Sequence, residues 1–255
     1  MGILTRSRVE WARGWYALNH YVGCGHRCLY CYGRFLLEKR FKLVSDWGRP
    51  RLKHNFQEVL SYLRDIRGKV IWLSSATDPY QPIEAETRAT RKVLESVLPR
   101  NKVVILTKSD LILRDLDVLH KYRDRIRVGF TITSLKKNPW EPYAPEPHRR
   151  IRALRIFKEA GFETFVSIEP WIPEITDPIE IICEVEELVD WIIIGRLNYG
   201  GSSSRYYAFR LKKLLKYIEH DNVIVKQELR KCLPSHDWSW TLRNLGRWLK
   251  WGTRR

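Results

Sequence analysis

Residues 17–32 read A-L-N-H-Y-V-G-C-G-H-R-C-L-Y-C-Y. The run Ala17–Val22 has the composition of a buried strand, and it ends in a loop holding Cys24, Cys28 and Cys31. Thiolates this close in sequence can converge on one inorganic object. Two objects compete. A tetrahedral zinc site needs four ligands, and His26 could supply the fourth. It lies inside the gap between Cys24 and Cys28, where joint ligation is cramped. Structural zinc sites also draw their ligands as two separated pairs, yet Cys183 and Cys232 stand alone. An iron–sulfur cubane held by three cysteines, with its fourth iron open, suits the spacing better. Five cysteines in 255 residues are too few, and odd in number, for a disulfide framework.

Outward from this loop, short apolar runs rich in β-branched residues recur at Val70–Leu73, Val103–Leu106, Val128–Ile132, Phe165–Ile168 and Trp191–Ile194. Runs that are apolar on both faces predict buried parallel strands. Helical stripes fall between them: Ile112, Leu116 and Leu119; Ile151 and Leu154; Leu211, Leu215 and Ile218. Asp177-Pro178-Ile179-Glu180 offers an N-cap followed by proline at the first helical position. The chain therefore reads as six β-α units, with Val223–Val225 as a short seventh strand. That alternation gives an α/β fold with a parallel sheet, doubly wound or curled into a barrel. No G-x-G-x-x-G follows the first strand, which weakens the dinucleotide-binding version. In a barrel the chemistry sits at the strands' C-terminal ends. The cysteine loop, Ser74–Pro82, Thr107–Ser109, Thr133–Ser134 and Glu169–Pro173 all lie at such ends.

The chain carries 46 Lys+Arg against 29 Asp+Glu, a net charge of +17. Such a surface attracts polyanions, nucleic acid first, although a charge-rich thermophile surface would look similar. The N-terminal residues are charged, with no apolar central run of a secretory signal, and no stretch approaches a membrane span. The expected setting is cytoplasmic, where thiols stay reduced, with no membrane partner. Residues 1–230 read as the barrel domain and 231–255 as a basic, Trp-rich C-terminal extension. That extension holds Trp238, Trp240, Trp248 and Trp251 among Arg243, Arg247, Lys250, Arg254 and Arg255, with Leu242, Leu245 and Leu249 at helical spacing. Packing on or beside the barrel is favoured over nucleic-acid binding by stacked tryptophans, and both over a membrane interface.

Cys24-x3-Cys28-x2-Cys31, with Tyr30 before the last cysteine, resembles the signature of the radical S-adenosylmethionine (SAM) enzymes. The longer string Leu18–Tyr32, S-S-A-T-D-P-Y-Q-P-I-E at Ser74–Glu84 and E-P-W-I-P at Glu169–Pro173 resemble the spore photoproduct lyase-like branch. The likeness runs from about Ala17 to Tyr199. It implies a partial (β/α)6 TIM-like barrel carrying a [4Fe-4S] cluster and SAM, with one iron each on Cys24, Cys28 and Cys31. SAM would chelate the fourth iron and, on one-electron reduction by an external low-potential donor, give methionine and a 5′-deoxyadenosyl radical. That radical would take hydrogen from an unidentified substrate, with DNA and RNA as candidates. By position in the resembling motifs, Thr77 and Asp78 would meet the SAM amino group and Tyr32 the adenine. Lys108, Ser134 and Glu169 would meet the ribose, the carboxylate or the substrate.

One position departs from the branch. Where true spore photoproduct lyases carry a cysteine that returns a hydrogen atom to the product radical, this chain has Ser75. A serine O–H bond is too strong for that role, so photoproduct repair itself is disfavoured. The competing reading from another class is a zinc-stabilised nucleic-acid-binding protein without catalysis.

Overall fold

Each apolar run becomes a strand of one sheet, and the sheet keeps chain order. The computed structural model describes residues 4–198, 203–218 and 221–252. Tyr199, Arg254 and Arg255 lie outside the described residues. The parallel strands are β1 (Tyr16–Leu18), β2 (Val70–Leu73), β3 (Lys102–Thr107), β4 (Ile126–Thr131), β5 (Glu163–Trp171), β6 (Trp191–Arg196) and β7 (Val223–Val225). Their registers run Leu18↔Leu73↔Ile105↔Val128↔Thr164, and then Val166↔Ile192↔Val223. Thr5–Arg6 adds an antiparallel edge outside β1.

Six helices make the connections: α1 (Phe56–Asp65), α2 (Ala89–Val97), α3 (Leu116–Lys121), α4 (Pro147–Glu159), α5 (Pro178–Val185) and α6 (Ser204–Leu214). Asp177 caps α5 as its sequence indicates, its Oδ1 accepting the Ile179 and Glu180 amides at 2.9 and 3.3 Å. Right-handed crossovers in an unreversed strand order place these six connecting helices on one face. There is no switch point of a doubly wound sheet, so the sheet curls into a partial barrel.

Two apolar layers follow from the alternation of side chains along each strand. Val103, Ile105, Val128 and Val166 pack outward against the helices. Val70, Trp72, Val104, Phe165, Ile193 and Ile224 fill the interior with Trp11 and Trp15. Gly129 is required on β4, because a Cβ there would lie 2.3 Å from the Phe165 ring.

The structure corrects three details. The first strand stops at Leu18, and Tyr21–Val22 leaves the barrel to pair with Arg51–Leu52. Asn19 turns the chain there: its Oδ1 accepts the Ala76 amide at 2.8 Å and its Nδ2 donates to Ser75 Oγ at 3.0 Å. Ile112 sits on a 3-10 turn, Asp110–Asp115, ahead of α3 rather than on one continuous helix. Leu215 and Ile218 lie past the end of α6.

Helix α7 (Ser239–Leu249) buries Thr241, Asn244, Leu245 and Trp248, not the stripe Leu242–Leu245–Leu249, and Leu242 is half exposed. The reason is the open edge of β7. Thr241 Oγ1 accepts the Val225 amide at 2.8 Å, and Asn244 Nδ2 donates to the Val223 carbonyl at 2.8 Å. Polar side chains thus satisfy an edge that would otherwise template pairing with another chain. Trp238, Trp240 and Trp251 are half-buried against the core, so the tail does not present a row of open rings for stacking on bases.

His20 gives a stability prediction. Burial, helped by Lys53, pushes its imidazole down to about 3, while its ring nitrogen pairs with Thr90 Oγ1 at 2.9 Å. The folded state resists a proton that the unfolded chain takes up near pH 6.5. Stability is therefore fully present above that pH and is lost toward pH 3, by up to about 1.4 kcal/mol per pH unit. Urea titrations at pH 7 and pH 5 should show a steeper loss for the parent than for His20→Gln. Parallel losses would remove this account.

Candidate active site

A cavity of about 290 Å³ opens at the C-terminal ends of the strands. Cys24, Cys28, Cys31 and Tyr32 line one side, and Ser74–Asp78 and Lys108 adjoin them. Glu169, Arg196 and Lys226 line it from β5, β6 and the end of β7. Trp11, Trp72 and Leu106 supply apolar lining from the interior layer.

The cysteine loop is held by its backbone. Gln81, within the Ser74–Glu84 string, accepts the Gly25 amide at 2.8 Å and donates to the Gly23 carbonyl at 3.2 Å. The Cys24 amide donates to the Trp47 carbonyl at 2.8 Å, and the Leu29 amide to the Trp140 carbonyl at 2.9 Å. The two strings that are similar to one family are therefore hydrogen-bonded to each other. Burial pushes the Cys24 thiol well up, with Asp78 and Cys28 adding to it. It pushes Cys28 up to about 12 against the pull of Lys108.

Asp78 is fully occupied. Its Oδ1 accepts from Thr107 Oγ1 at 2.6 Å and from the Tyr80 amide at 2.8 Å, and its Oδ2 accepts the Lys108 amide at 2.8 Å. Burial alone would raise its carboxyl, but His26, Thr107 and the Lys108 amide hold it down to about 2. Lys108 is likewise kept cationic: burial opposes the charge, and Cys28, Glu141 and Asp78 outweigh it. Its Nζ sits 5.5 Å from the centre of the Tyr30 ring. Tyr30 in turn donates to Glu141, which also accepts from Thr133 at 3.0 Å and pairs with Arg150 at 2.6 Å.

Across the cavity Glu169 meets Lys226 at 2.5 Å. The register between β5 and β6 breaks between Ile168 and Trp171, and the Glu169–Pro170 peptide is cis. Gly195 leaves the space that Glu169 occupies, since a Cβ there would lie 2.7 Å from its carboxyl carbon. Of the residues singled out from sequence, Cys24, Cys28, Cys31, Tyr32, Thr77, Asp78, Lys108 and Glu169 share this cavity. Ser134 is not among its lining residues. Its hydroxyl instead accepts the Lys136 amide at 3.1 Å, the local turn that serines at strand ends favour.

Sequence reasoning passed over Trp47, Arg196 and Lys226 and gave Ser74, the first residue of its Ser74–Pro82 loop, no role of its own; all four line the cavity. Ser74 has φ of 55°, a left-handed conformation that costs a non-glycine residue about 1–3 kcal/mol and often marks a functional site. Among the described residues, the Ser74 and Thr77 hydroxyls, the Trp47 indole N–H and His26 Nδ1 are buried without a hydrogen-bond partner. Four residues with orphaned polar atoms around one cavity fit a polar ligand such as SAM. His26 is not placed as a ligand beside the thiols. Its Nε2 faces Asp78 Oδ2 at 3.4 Å. Among the described residues no three His, Cys, Asp or Glu side chains converge on one metal ion. A cubane binds each thiolate to a different iron and so holds the thiolates farther apart than one zinc ion would.

The radical SAM superfamily profile matches residues 18–192. An uncharacterized protein of Methanocaldococcus jannaschii is 36% identical over 191 residues, which is 73% of this chain and 72% of that protein. A protein of Acidianus two-tailed virus is 35% identical over 219 residues, 77% of this chain and 71% of its own length. Among solved structures, a cysteine-to-alanine variant of spore photoproduct lyase with dinucleoside spore photoproduct aligns with a TM-score of 0.57 at 17% identity, covering 82% of this chain and 63% of that one. Streptococcus suis SuiB bound to S-adenosylmethionine aligns with a TM-score of 0.54 at 15% identity, covering 88% of this chain and 53% of that one. The chain thus spans less than two thirds of these solved chains, and at such identities the likeness is one of fold. The family's cofactors are a [4Fe-4S] cluster and SAM. No described helix is long and apolar enough to cross a membrane. With the profile covering most of its sequence, on a partial barrel whose cysteine loop faces the cavity, the chain belongs to the radical SAM superfamily.

Proposed function

We propose that this cavity is where SAM is cleaved, that Cys24, Cys28 and Cys31 each hold one iron, and that the substrate is nucleic acid. The observation that carries the first part is the meeting of three loop thiols with the orphaned polar atoms of His26, Trp47, Ser74 and Thr77 in one cavity. Bound together, the cluster and SAM supply one-electron cleavage to methionine and a 5′-deoxyadenosyl radical. The protein's part is to bind, orient and exclude water.

In this reading Thr77 and Ser74 offer hydroxyls to the methionyl group of SAM, and Tyr32 stands at the rim for its adenine. Asp78, already saturated with donors, positions Lys108 and the loop rather than meeting SAM itself. The Lys108 ammonium balances the thiolates and suits a carboxylate. Glu169 and Lys226 face the cavity from the opposite side and would orient the substrate. Residues 1–230 then form the catalytic barrel and 231–255 an extension that packs against it, in a compartment that keeps thiols reduced.

Nucleic acid is supported by the +17 charge and by the dinucleoside that the spore photoproduct lyase structure carries. Photoproduct repair itself is disfavoured, because Ser75 lines the cavity, its Oγ accepting from Asn19, where a hydrogen-donating thiol would be needed. The test is anaerobic reconstitution with iron and sulfide, followed by dithionite, SAM and deuterated DNA or RNA. We expect 5′-deoxyadenosine, and deuterium within it when the right nucleic acid is present. Absence of 5′-deoxyadenosine sinks the catalytic reading. Its formation without deuterium transfer, together with binding indifferent to salt, sinks the nucleic-acid part.

A further inference from the structure

Helix α6 has two faces of opposite chemistry. Tyr207, Leu211 and Leu214 are buried on one. The other carries Arg205, Phe209, Lys212 and Lys216, spaced i, i+4, i+7 and i+11, with Lys213 beside them, and all five are exposed. Lys216 follows the last residue of α6, but the turn carries on. The Leu215 amide donates to the Leu211 carbonyl at 2.9 Å, and the Lys216 amide to the Lys213 carbonyl at 3.2 Å. Phe209 is 72% exposed. Residues 204–217 hold five Lys and Arg and no Asp or Glu.

Helix stability does not account for this face. Arg205 stands in the first turn, where the helix dipole favours an acid and where α6 has none. Lys212 and Lys216 repel each other at i, i+4. Among the described residues, the ion pairs of Lys and Arg beyond residue 200 are Lys226–Glu169, Arg230–Glu10 and Lys231–Glu228, none of them on α6. The turn after the cysteine loop also shows rings and cations, yet Arg34, Lys39 and Arg49 there already meet Glu38 or Asp46. The charge on α6 is complementary to a polyanion.

The face starts beside the cavity mouth. The Tyr207 hydroxyl accepts the Leu197 amide at 3.2 Å and donates to the Trp171 carbonyl at 2.9 Å, and the Tyr206 hydroxyl accepts the Glu174 amide at 3.2 Å. The first turn of α6 is thus tied to the ends of β5 and β6, where Pro170 and Leu197 line the cavity. Arg205 and Lys212 are separated by about 10 Å of helix, with Phe209 between them. Single strands of nucleic acid are held by this combination, cations along the backbone and a ring under a base. A membrane-surface helix would present its whole apolar face, and that of α6 is buried.

We propose that the exposed face of α6 holds a single strand of nucleic acid and leads it to the cavity mouth. Phe209 stacks on one unpaired base, while Arg205, Lys212, Lys213 and Lys216 meet the neighbouring phosphates. This rests on the nucleic-acid reading given above, and adds the surface that holds the strand and the unpaired form the strand must take.

The experiment uses the reconstituted holoenzyme and a fluorescein-labelled thymidine oligonucleotide of about 12 residues, within the usual span of single-strand sites. Anisotropy titrations at several salt concentrations read binding, and dithionite-driven 5′-deoxyadenosine without oligonucleotide reads the basal site. Lys212→Glu/Lys213→Glu should bind at least about tenfold more weakly. Lys212→Gln/Lys213→Gln should lower the slope of log affinity against log salt by about 1.4, the share of two phosphates on a single strand. Phe209→Leu should weaken binding at least about fivefold with the slope unchanged, and Phe209→Trp should retain it. Arg64→Glu/Lys92→Glu, exposed on α1 and α2, should match the parent and so control for net charge. Basal 5′-deoxyadenosine should be the same in every variant. Equal binding by the parent and Lys212→Glu/Lys213→Glu overturns the inference. So does Phe209→Leu binding as the parent does, or a duplex of the same length binding more tightly than the single strand. Phe209→Leu that releases phosphatidylserine vesicles but keeps the oligonucleotide makes this a membrane face, and the inference falls. Binding that depends on α6 but gives no deuterium transfer sinks the substrate reading and leaves this surface standing; deuterium transfer indifferent to α6 does the reverse.

Discussion

Replacing Cys24, Cys28 and Cys31 together by alanine is expected to remove the iron–sulfur absorbance of the reconstituted protein and to lower 5′-deoxyadenosine formation by more than about 100-fold. That floor is what loss of outer-shell support alone can cost a metal site, and here the ligands themselves are removed. The loss should not come from misfolding, because the loop is positioned by backbone groups. The Gly25 amide to Gln81, the Cys24 amide to Trp47 and the Leu29 amide to Trp140 all survive the substitutions. Cys24 and Cys28 are moreover thiols that burial disfavours as free thiolates. Thermal melts within a few degrees of the apo parent are therefore the expected control. Cys183→Ala and Cys232→Ala should keep full iron content, since neither residue lines the cavity. A triple variant that still yields 5′-deoxyadenosine at the parent rate would leave the loop without its assigned role. Zinc at one per chain in the anaerobically purified parent, without iron, would return the loop to a structural site.

The loop itself was legible because its chemistry is local: three thiols at fixed gaps need no tertiary information. So were the strands, since Val70–Leu73 and Val223–Val225 are continuous apolar runs and appear with those bounds. What the sequence could not carry was pairing at a distance. Asn19 reads as an ordinary polar residue, yet it turns the chain out of the barrel by bonding Ser75 and Ala76, more than 50 positions on. Ser134 ends a strand region as the other site residues do, but nothing in its neighbours shows that its hydroxyl closes a turn instead. Asp78 was visible, whereas its saturation by Thr107, Tyr80 and Lys108 was not. Ser74 had one signal that could have been used. It is a polar residue directly after an apolar strand and before the Thr-Asp pair, where a sharp left-handed turn is common at functional sites.

Trp248→Ala is expected to cost about 3–5 kcal/mol of stability, on the order of 10 °C in melting temperature for a chain of this size. Trp248 is fully buried, and its ring lies 6.1 Å from Trp11, 5.7 Å from Trp15, 5.1 Å from Phe165 and 5.7 Å from Trp191. Its indole N–H donates to the Trp11 carbonyl at 2.7 Å. The Arg127 guanidinium stacks 4.0 Å from the ring centre while pairing with Glu163 at 2.7 Å. Removing the indole opens a void among five aromatic and cationic groups and strips one face from a buried cation. Trp248→Phe, which keeps a ring but loses the donor, should recover part of the loss. Arg243→Ala, on the exposed side of α7, should cost less than about 0.5 kcal/mol. The effect should also reach the cavity, because Trp11 touches Trp248 on one side and Trp72, 4.5 Å away, on the other, and both Trp11 and Trp72 line it. SAM affinity measured by equilibrium dialysis is therefore expected to fall in Trp248→Ala and to hold in Arg243→Ala. An unchanged melting temperature with weakened oligonucleotide binding would instead make the tail a nucleic-acid arm, and its packing under the barrel would carry no stabilising role.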